Sequence, residues 1–244
     1  MSPSTSVRNP GGPENGPQPG RRPGRLGWLG GWLVACVLLS GCAAPEWNVA
    51  SLTPDYHPDN VFLYAPGLSP DLKRVVMLPL ACEDHRPDLE DGCEALSPIL
   101  KAELVKSRKF EVVCASPEAL QNAMGRPAWT GTEELPPEFF DSLREVYACD
   151  AVLFCQLTVF RPYPPLAVGW RLKLVNARTR QTLWATDELL DAGMQSVING
   201  AEGYQRGGGL HLFRDERDEW LMSHSFRRFG QYAAAQVLQT LPNR

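Results

Sequence analysis

Seven cysteines and four histidines carry most of the reactive chemistry that this chain of 244 residues offers. Cys82 and Cys93 bracket a polar stretch, CEDHRPDLEDGC, whose ends suit a local disulfide. A metal site at Cys82, His85 and Cys93 is the other reading of that stretch. Structural zinc wants four ligands at tight spacing, and no second Cys-x-x-Cys or His pair completes the set. Neither a metal nor a cofactor is therefore expected. Cys114, Cys149 and Cys155 fall in apolar, strand-like surroundings, where a thiol acts as a small buried hydrophobe. No Gly-x-Ser-x-Gly elbow, His-Glu-x-x-His helix or Walker loop is present. Gly67-Leu68-Ser69-Pro70-Asp71 breaks the elbow pattern at its last position, and His57, His85, His211 and His224 are scattered. Arg206-Gly207-Gly208-Gly209 lacks the strand-to-helix setting of an anion cradle and reads as a loop. Arg214–Glu219 is a balanced charge run, as on a solvated helix start. No catalytic residue is expected, and the chain reads as a non-enzyme.

Net charge is −4, with 43% hydrophobic and 21% charged residues. That composition fits one globular domain or two small ones. It excludes a collagen-like chain, a coiled coil and a multi-spanning membrane protein, and it offers no basic field for nucleic acid. The charge is unevenly spread. Residues 1–41 hold four Arg and one Glu, for +3, whereas the rest carries 20 basic and 27 acidic side chains, for −7. Residues 1–20 are Pro, Gly, Ser and Asn with almost nothing apolar, a composition that stays disordered. Arg21, Arg22 and Arg25 follow, then the apolar run Leu26–Leu39, then Ser40-Gly41-Cys42. Positive, apolar, small is the order of a secretory signal peptide. An uncleaved transmembrane helix wants about 20 apolar residues; this run is shorter and broken by Gly27, Gly30 and Gly31. Pro23-Gly24 after the arginine pair departs from a twin-arginine signal.

Leu39-Ser40-Gly41-Cys42 resembles the lipobox of bacterial lipoproteins. The resemblance implies that Cys42 is acylated and that residues 1–41 are removed. A single acyl chain anchors a protein only marginally and two or more anchor it stably; the family expectation is three, palmitate among them. Ala43 and Ala44 after the cysteine, rather than Asp, imply sorting to the outer membrane with the body in the periplasm. Export also permits disulfides, which supports the Cys82–Cys93 bridge.

Residues 42–71, rich in Pro, Asp and Asn, read as a lipidated tether with aromatic residues able to dock on the body. Arg74–Leu80 reads as a strand. Helical spacing follows over about 92–108, with Pro98 fitting only in a first turn. Phe110–Cys114 is a second strand. Ser116-Pro117-Glu118 looks like an N-cap with Pro at N1, opening a helix to about Met124. Pro137 to Tyr147 is a third helix, with Phe140, Leu143 and Tyr147 on one face. Ala151–Phe160 is nearly continuous in apolar residues and reads as a central strand. Ala167–Asn176 alternates Val168, Trp170, Leu172 and Leu174 against Gly169, Arg171 and Lys173, a strand with one wet face. Gln181–Leu190 returns as its hairpin partner. A short helical piece lies in 191–210, and an amphipathic helix over about 218–241 closes the chain, with Met222, Phe226, Phe229, Ala233 and Val237 inward. The order β-α-β-α-α-β-β-β-α implies an α/β domain over 72–242, three-layered, with about five mixed strands.

The segments RVVMLPL, SRKFEVVCASPEAL, ACDAVLFCQLTVF and RLKLVNARTRQTLWATDELLD resemble a recurring periplasmic domain. They are similar to the curli-secretion (CsgG-like) lipoprotein family, the amino-terminal domain of TolB and the LpoB-type peptidoglycan-synthase activators. That resemblance implies an anticodon-binding-like, TolB-N-like α/β fold and an accessory role in the envelope. The long membrane hairpins of the curli pore are missing, since the links around Ala167–Asn176 are five and four residues. A binding or accessory subunit of an envelope assembly, secretion or cell-wall complex is thus expected. It would be anchored to the membrane by its lipid and engage a protein partner; a self-assembling scaffold and an unusual hydrolase acting through His85 or His224 stand as alternatives. Tyr163, Trp129 and Tyr204 are the candidate partner-binding aromatics. Trp170 and Trp184 read as core on facing strands.

Overall fold

The computed structural model describes residues 54–82, 87–205 and 225–244. The expected signal peptide, Cys42, His85, His211, His224, Arg206–Gly209, Arg214–Glu219 and Met222 lie outside the described residues. The elements in order are β1 (Val61–Leu63), β2 (Arg74–Met77), β3 (Ala81–Cys82), α1 (Pro87–Lys106), β4 (Glu111–Cys114), α2 (Pro117–Met124), α3 (Phe139–Tyr147), β5 (Ala151–Arg161), β6 (Ala167–Asn176), β7 (Thr182–Asp191), α4 (Gln195–Gln205) and α5 (Phe226–Gln239).

One mixed sheet runs β1-β7-β6-β5-β2-β4, with β3 also on β5. β2 is parallel to both β4 and β5, which their helical crossovers require. β5, β6, β7 and β1 form an antiparallel meander. β5 is central, and its continuous apolar run follows from being covered on both faces. Alternation sends Val75, Met77, Leu153, Trp170, Leu172 and Trp184 to one face, under α1, α4 and α5. Val76, Leu78, Val152 and Phe154 go to the other, under α2 and α3. The result is a three-layer α/β domain. The β6–β7 part of the second face stays wet, and there Arg171 Nε donates to Asp187 at 2.7 Å.

The sheet has seven strands rather than about five. Pro79 lacks the N–H needed to continue a ladder, so the expected strand 74–80 splits into β2 and β3. The other addition is β1, inside the stretch expected as tether. Of residues 42–71, those from 54 onward are described, and they lie on the body: Leu68 is buried and its N–H donates to Asn243 O at 2.8 Å.

α1 begins at Pro87, five residues before the expected start, and Pro98 is inside it rather than in its first turn. Pro87 has the φ a first turn wants, and Asp88 and Glu90 suit the positive end of the helix. Pro98 removes one intrahelical donor. The helix continues because Leu89, Leu96, Leu100 and Leu104 bury themselves on the sheet. α2 follows the sequence reading closely: Ser116 Oγ accepts from Ala119 N at 3.1 Å, Pro117 opens the helix, and Gly125 at φ 79° closes it where a Cβ would be strained.

Candidate functional site

The three aromatic residues proposed to meet a partner are not brought together. Trp129 is corrected to core. It is only 5% exposed, its ring meets Phe139 edge-on at 5.3 Å, and Arg126 covers it at 4.5 Å. The 125–136 loop folds back over α3, so the indole closes the second core instead of facing outward. Tyr204 lies on the opposite face of the sheet, half-buried, its ring 5.9 Å from Tyr232 and its hydroxyl 3.5 Å from Glu103. Tyr163 stands alone at the β5–β6 connection, 78% exposed. Trp170 and Trp184 are fully buried in the first core.

Cys82 and Cys93 are brought together, joined sulfur to sulfur with Cα atoms 6.4 Å apart, β3 against the second turn of α1. The other thiols are spread. Cys149 and Cys155 are buried, and burial pushes both thiols up, away from the reactive thiolate. Cys114 is exposed at the end of β4. His57 is exposed. Among the described residues, no three His, Cys, Asp or Glu side chains are grouped to hold a metal ion, and no helix is long and apolar enough to cross a membrane.

The features that invite a partner lie at the β1 side of the molecule. Val61-Phe62-Leu63-Tyr64 is a short apolar run between polar stretches. Pairing with β7 leaves Phe62, Leu63 and Tyr64 exposed by 51%, 47% and 57%. The ladder is held by Tyr64 N–H to Leu183 O at 3.1 Å and Asp187 N–H to Asn60 O at 3.2 Å. By the alternation of an antiparallel ladder, Val61 and Leu63 turn their N–H and C=O groups outward. β1 is therefore a free sheet edge with apolar side chains.

Beside this edge lies a groove of about 680 Å³, the size of a small-ligand or peptide site. Tyr64, Leu68, Asp71, Arg144, Asp150 and Arg178 are among the residues that line it. Asp150 is committed to structure: its Oδ2 accepts the N–H groups of Lys73 and Arg74 at 2.9 Å each, fixing the start of β2. Arg144 holds Asp141 at 3.2 Å. The arrangement offers an amphipathic cleft with arginines and exposed main chain. It can bind an extended segment. Sequence reasoning missed it because its walls come from three distant stretches; the run of four apolar residues at 61–64 was the one local signal.

No protein-family model matches the chain, and no curated protein matches it in sequence. Several solved structures are similar in part. The PelC dodecamer from Paraburkholderia phytofirmans aligns with TM-score 0.41 and 14% identity, over 78% of this chain and 95% of that one. The lipoprotein GNA1162 from Neisseria meningitidis aligns with TM-score 0.39 and 19% identity, over 56% of this chain and 99% of that one. The LpoB C-terminal domain from Salmonella enterica aligns with TM-score 0.31 and 17% identity, over 47% of this chain and 80% of that one.

Proposed function

We propose that the protein is a non-enzymatic envelope lipoprotein, acylated at Cys42 and carried to the outer membrane with its body in the periplasm. It acts as a binding or accessory subunit of an assembly, secretion or cell-wall complex. The lipobox Leu39-Ser40-Gly41-Cys42 supports the anchor. The observation that carries the binding role is the β1 edge, whose exposed Phe62, Leu63 and Tyr64 adjoin the groove lined by Leu68, Asp71 and Arg178. An apolar edge with free main-chain groups is a template for a partner's extended segment. Its position in the chain suits that role, since Val61 follows Cys42 by 19 residues. Under this reading the Cys82–Cys93 bridge, formed on export, staples α1 to the sheet.

Native mass spectrometry of the protein, extracted from its own membranes in mild detergent, tests the reading. A triacylated chain that begins at Cys42 and travels with a different protein is the expected result. A lipidated homo-oligomer alone would replace the accessory role by a self-assembling scaffold. A soluble, unlipidated chain that keeps residues 1–41 would overturn the localisation and the role together.

A further inference from the structure

Residues 54–63 cross the body as a strap from α4 to the sheet edge. Tyr56 N–H donates to Ser196 O at 3.0 Å. The Tyr56 hydroxyl donates to Glu188 Oε2, Asn60 N–H donates to Glu188 Oε1 at 2.7 Å, and Asn60 Nδ2 donates to Asp187 O at 2.9 Å. Glu188 is a β7 residue on the core face, opposite Trp170, and only 5% exposed. Both of its carboxylate oxygens are satisfied by the strap. Among the described residues no Lys, Arg or His is paired with it. A buried carboxylate is thus held by neutral donors only, a poor match in a low-dielectric site. The strap also carries Asp59, whose charge reaches Tyr56. Burial first, then Glu188, pushes the Tyr56 phenol up, so it remains a neutral donor.

The rest of the strap is held lightly. β1 is three residues long and pairs on one side only, and its side chains are half exposed. Such segments open at low cost. Beneath it β7 runs ten residues, of which β1 covers Trp184–Thr186. Beyond the two outward residues that β1 offers at the surface, the β7 edge beneath it offers a longer strand and, at Glu188, a carboxylate with no cationic partner among the described residues.

We propose that the β7 edge is a strand-exchange site for an extended, basic segment of a partner protein. Residues 54–63 are its intramolecular occupant, released when the partner pairs with β7 and sets a Lys or Arg against Glu188. A Lys or Arg set against the carboxylate adds a Coulomb attraction that the neutral Tyr56 and Asn60 donors lack, strengthened by the low dielectric of the site, and this supplies the preference for the partner. Release also returns ten residues to the tether, about 35 Å of added reach between membrane and body. The inference rests on the reading of the protein as a lipid-anchored binding subunit, and it names that subunit's partner chemistry and its regulation.

The test uses the membrane-extracted protein and two synthetic peptides, one with the sequence of residues 54–63 and one carrying Tyr56→Arg. The Arg peptide is expected to bind about tenfold tighter than the unaltered one and to speed deuterium exchange of the protein's own 54–63 amides. Glu188→Gln removes the difference between the peptides. Tyr56→Phe, which leaves the core intact, speeds exchange of 54–63 about tenfold without changing β5 or β6. Equal affinities for the two peptides, or no binding of either, would overturn the proposal, as would a Tyr56→Phe strap that exchanges no faster than β5. The intact mass of the same sample reads the lipid separately. Exchange without lipid overturns the anchor and leaves the strand exchange standing; lipid and a bound partner without exchange does the reverse.

Discussion

The packing of α4 on α5 can be tested to the level of one methyl group. Tyr232, on α5, is fully buried, and its hydroxyl has no hydrogen-bond partner among the described residues. That hydroxyl lies against Gly200 of α4, so close that a Cβ built on the glycine would clash with Oη; the next ring atom, Cζ, would sit 3.3 Å away. Gly200→Ala gains about 1 kcal/mol in helix propensity and loses about 1–3 kcal/mol to overpacking. The single variant should be destabilised by about 1 kcal/mol. Tyr232→Phe removes an unpaired buried hydroxyl and should be stabilised by about 1 kcal/mol. In the double variant the new methyl takes the space the hydroxyl leaves, and only the 3.3 Å contact to Cζ remains tight. The propensity gain is then kept, and the double variant should exceed the wild type by about 1–2 kcal/mol. Urea unfolding followed by tryptophan fluorescence measures all four proteins, with Trp170 and Trp184 buried in the same core as reporters. The coupling should be about 1–2 kcal/mol. Effects that add within about 0.5 kcal/mol would refute the contact, and so would a Tyr232→Phe variant less stable than the wild type.

Other outcomes follow from the same structure. The Cys82–Cys93 bridge closes a separation of 11 residues, so Cys93→Ser should cost about 3 kcal/mol in oxidised protein. Reductant should bring the wild type to the level of the variant, and a variant unaffected by reductant but equal to oxidised wild type would exclude the bridge. Trp129→Ala should cost about 3–5 kcal/mol in the unfolding assay, as for a core aromatic; a cost under about 0.5 kcal/mol would restore Trp129 to the surface. For Glu133, burial works to raise the carboxyl, but the Thr130 N–H and the Arg126 guanidinium outweigh it, and the net shift is downward from 4.5. A depressed carboxyl contributes stability above its unfolded value and loses it as pH falls through the folded one. Glu133→Gln should therefore lower stability near neutrality, where the wild-type contribution is fully present, and flatten the acid limb of the stability curve below about pH 4.5. A variant whose acid limb keeps the wild-type slope would count against the ion pair with Arg126.

Where the signal is a local period or a cap, the sequence and the structure agree. The alternation of Val168, Trp170, Leu172 and Leu174 put the right face of β6 on the core, because side chains in a strand alternate whatever the strand pairs with. Ser116, Pro117 and Gly125 marked the ends of α2 for reasons internal to a helix: an oxygen for an orphan N–H, a fixed φ at the start and a left-handed φ at the end. Leu39-Ser40-Gly41-Cys42 is a contiguous pattern too, but it lies outside the described residues, and its likeness to a lipobox is a reading of the sequence alone.

Tertiary structure decided the rest. Glu188 looks like an ordinary polar residue in TDELLD, yet the register of β7 puts it on the core face with Trp184 and Leu190. Its partner Asn60 lies 128 residues away, and a pairing at that distance leaves no period in either stretch. β1 is three residues long, too short to alternate visibly, and it exists as a strand because β7 offers it an edge. Trp129 is loop by local pattern and core by position, since only the fold brings Phe139 and Arg126 against its ring. The sequence by itself settled which faces are apolar and where a helix can start. Which distant face covers each of them, and so which residues are left for a partner, depended on long-range contacts that only the folded chain supplies.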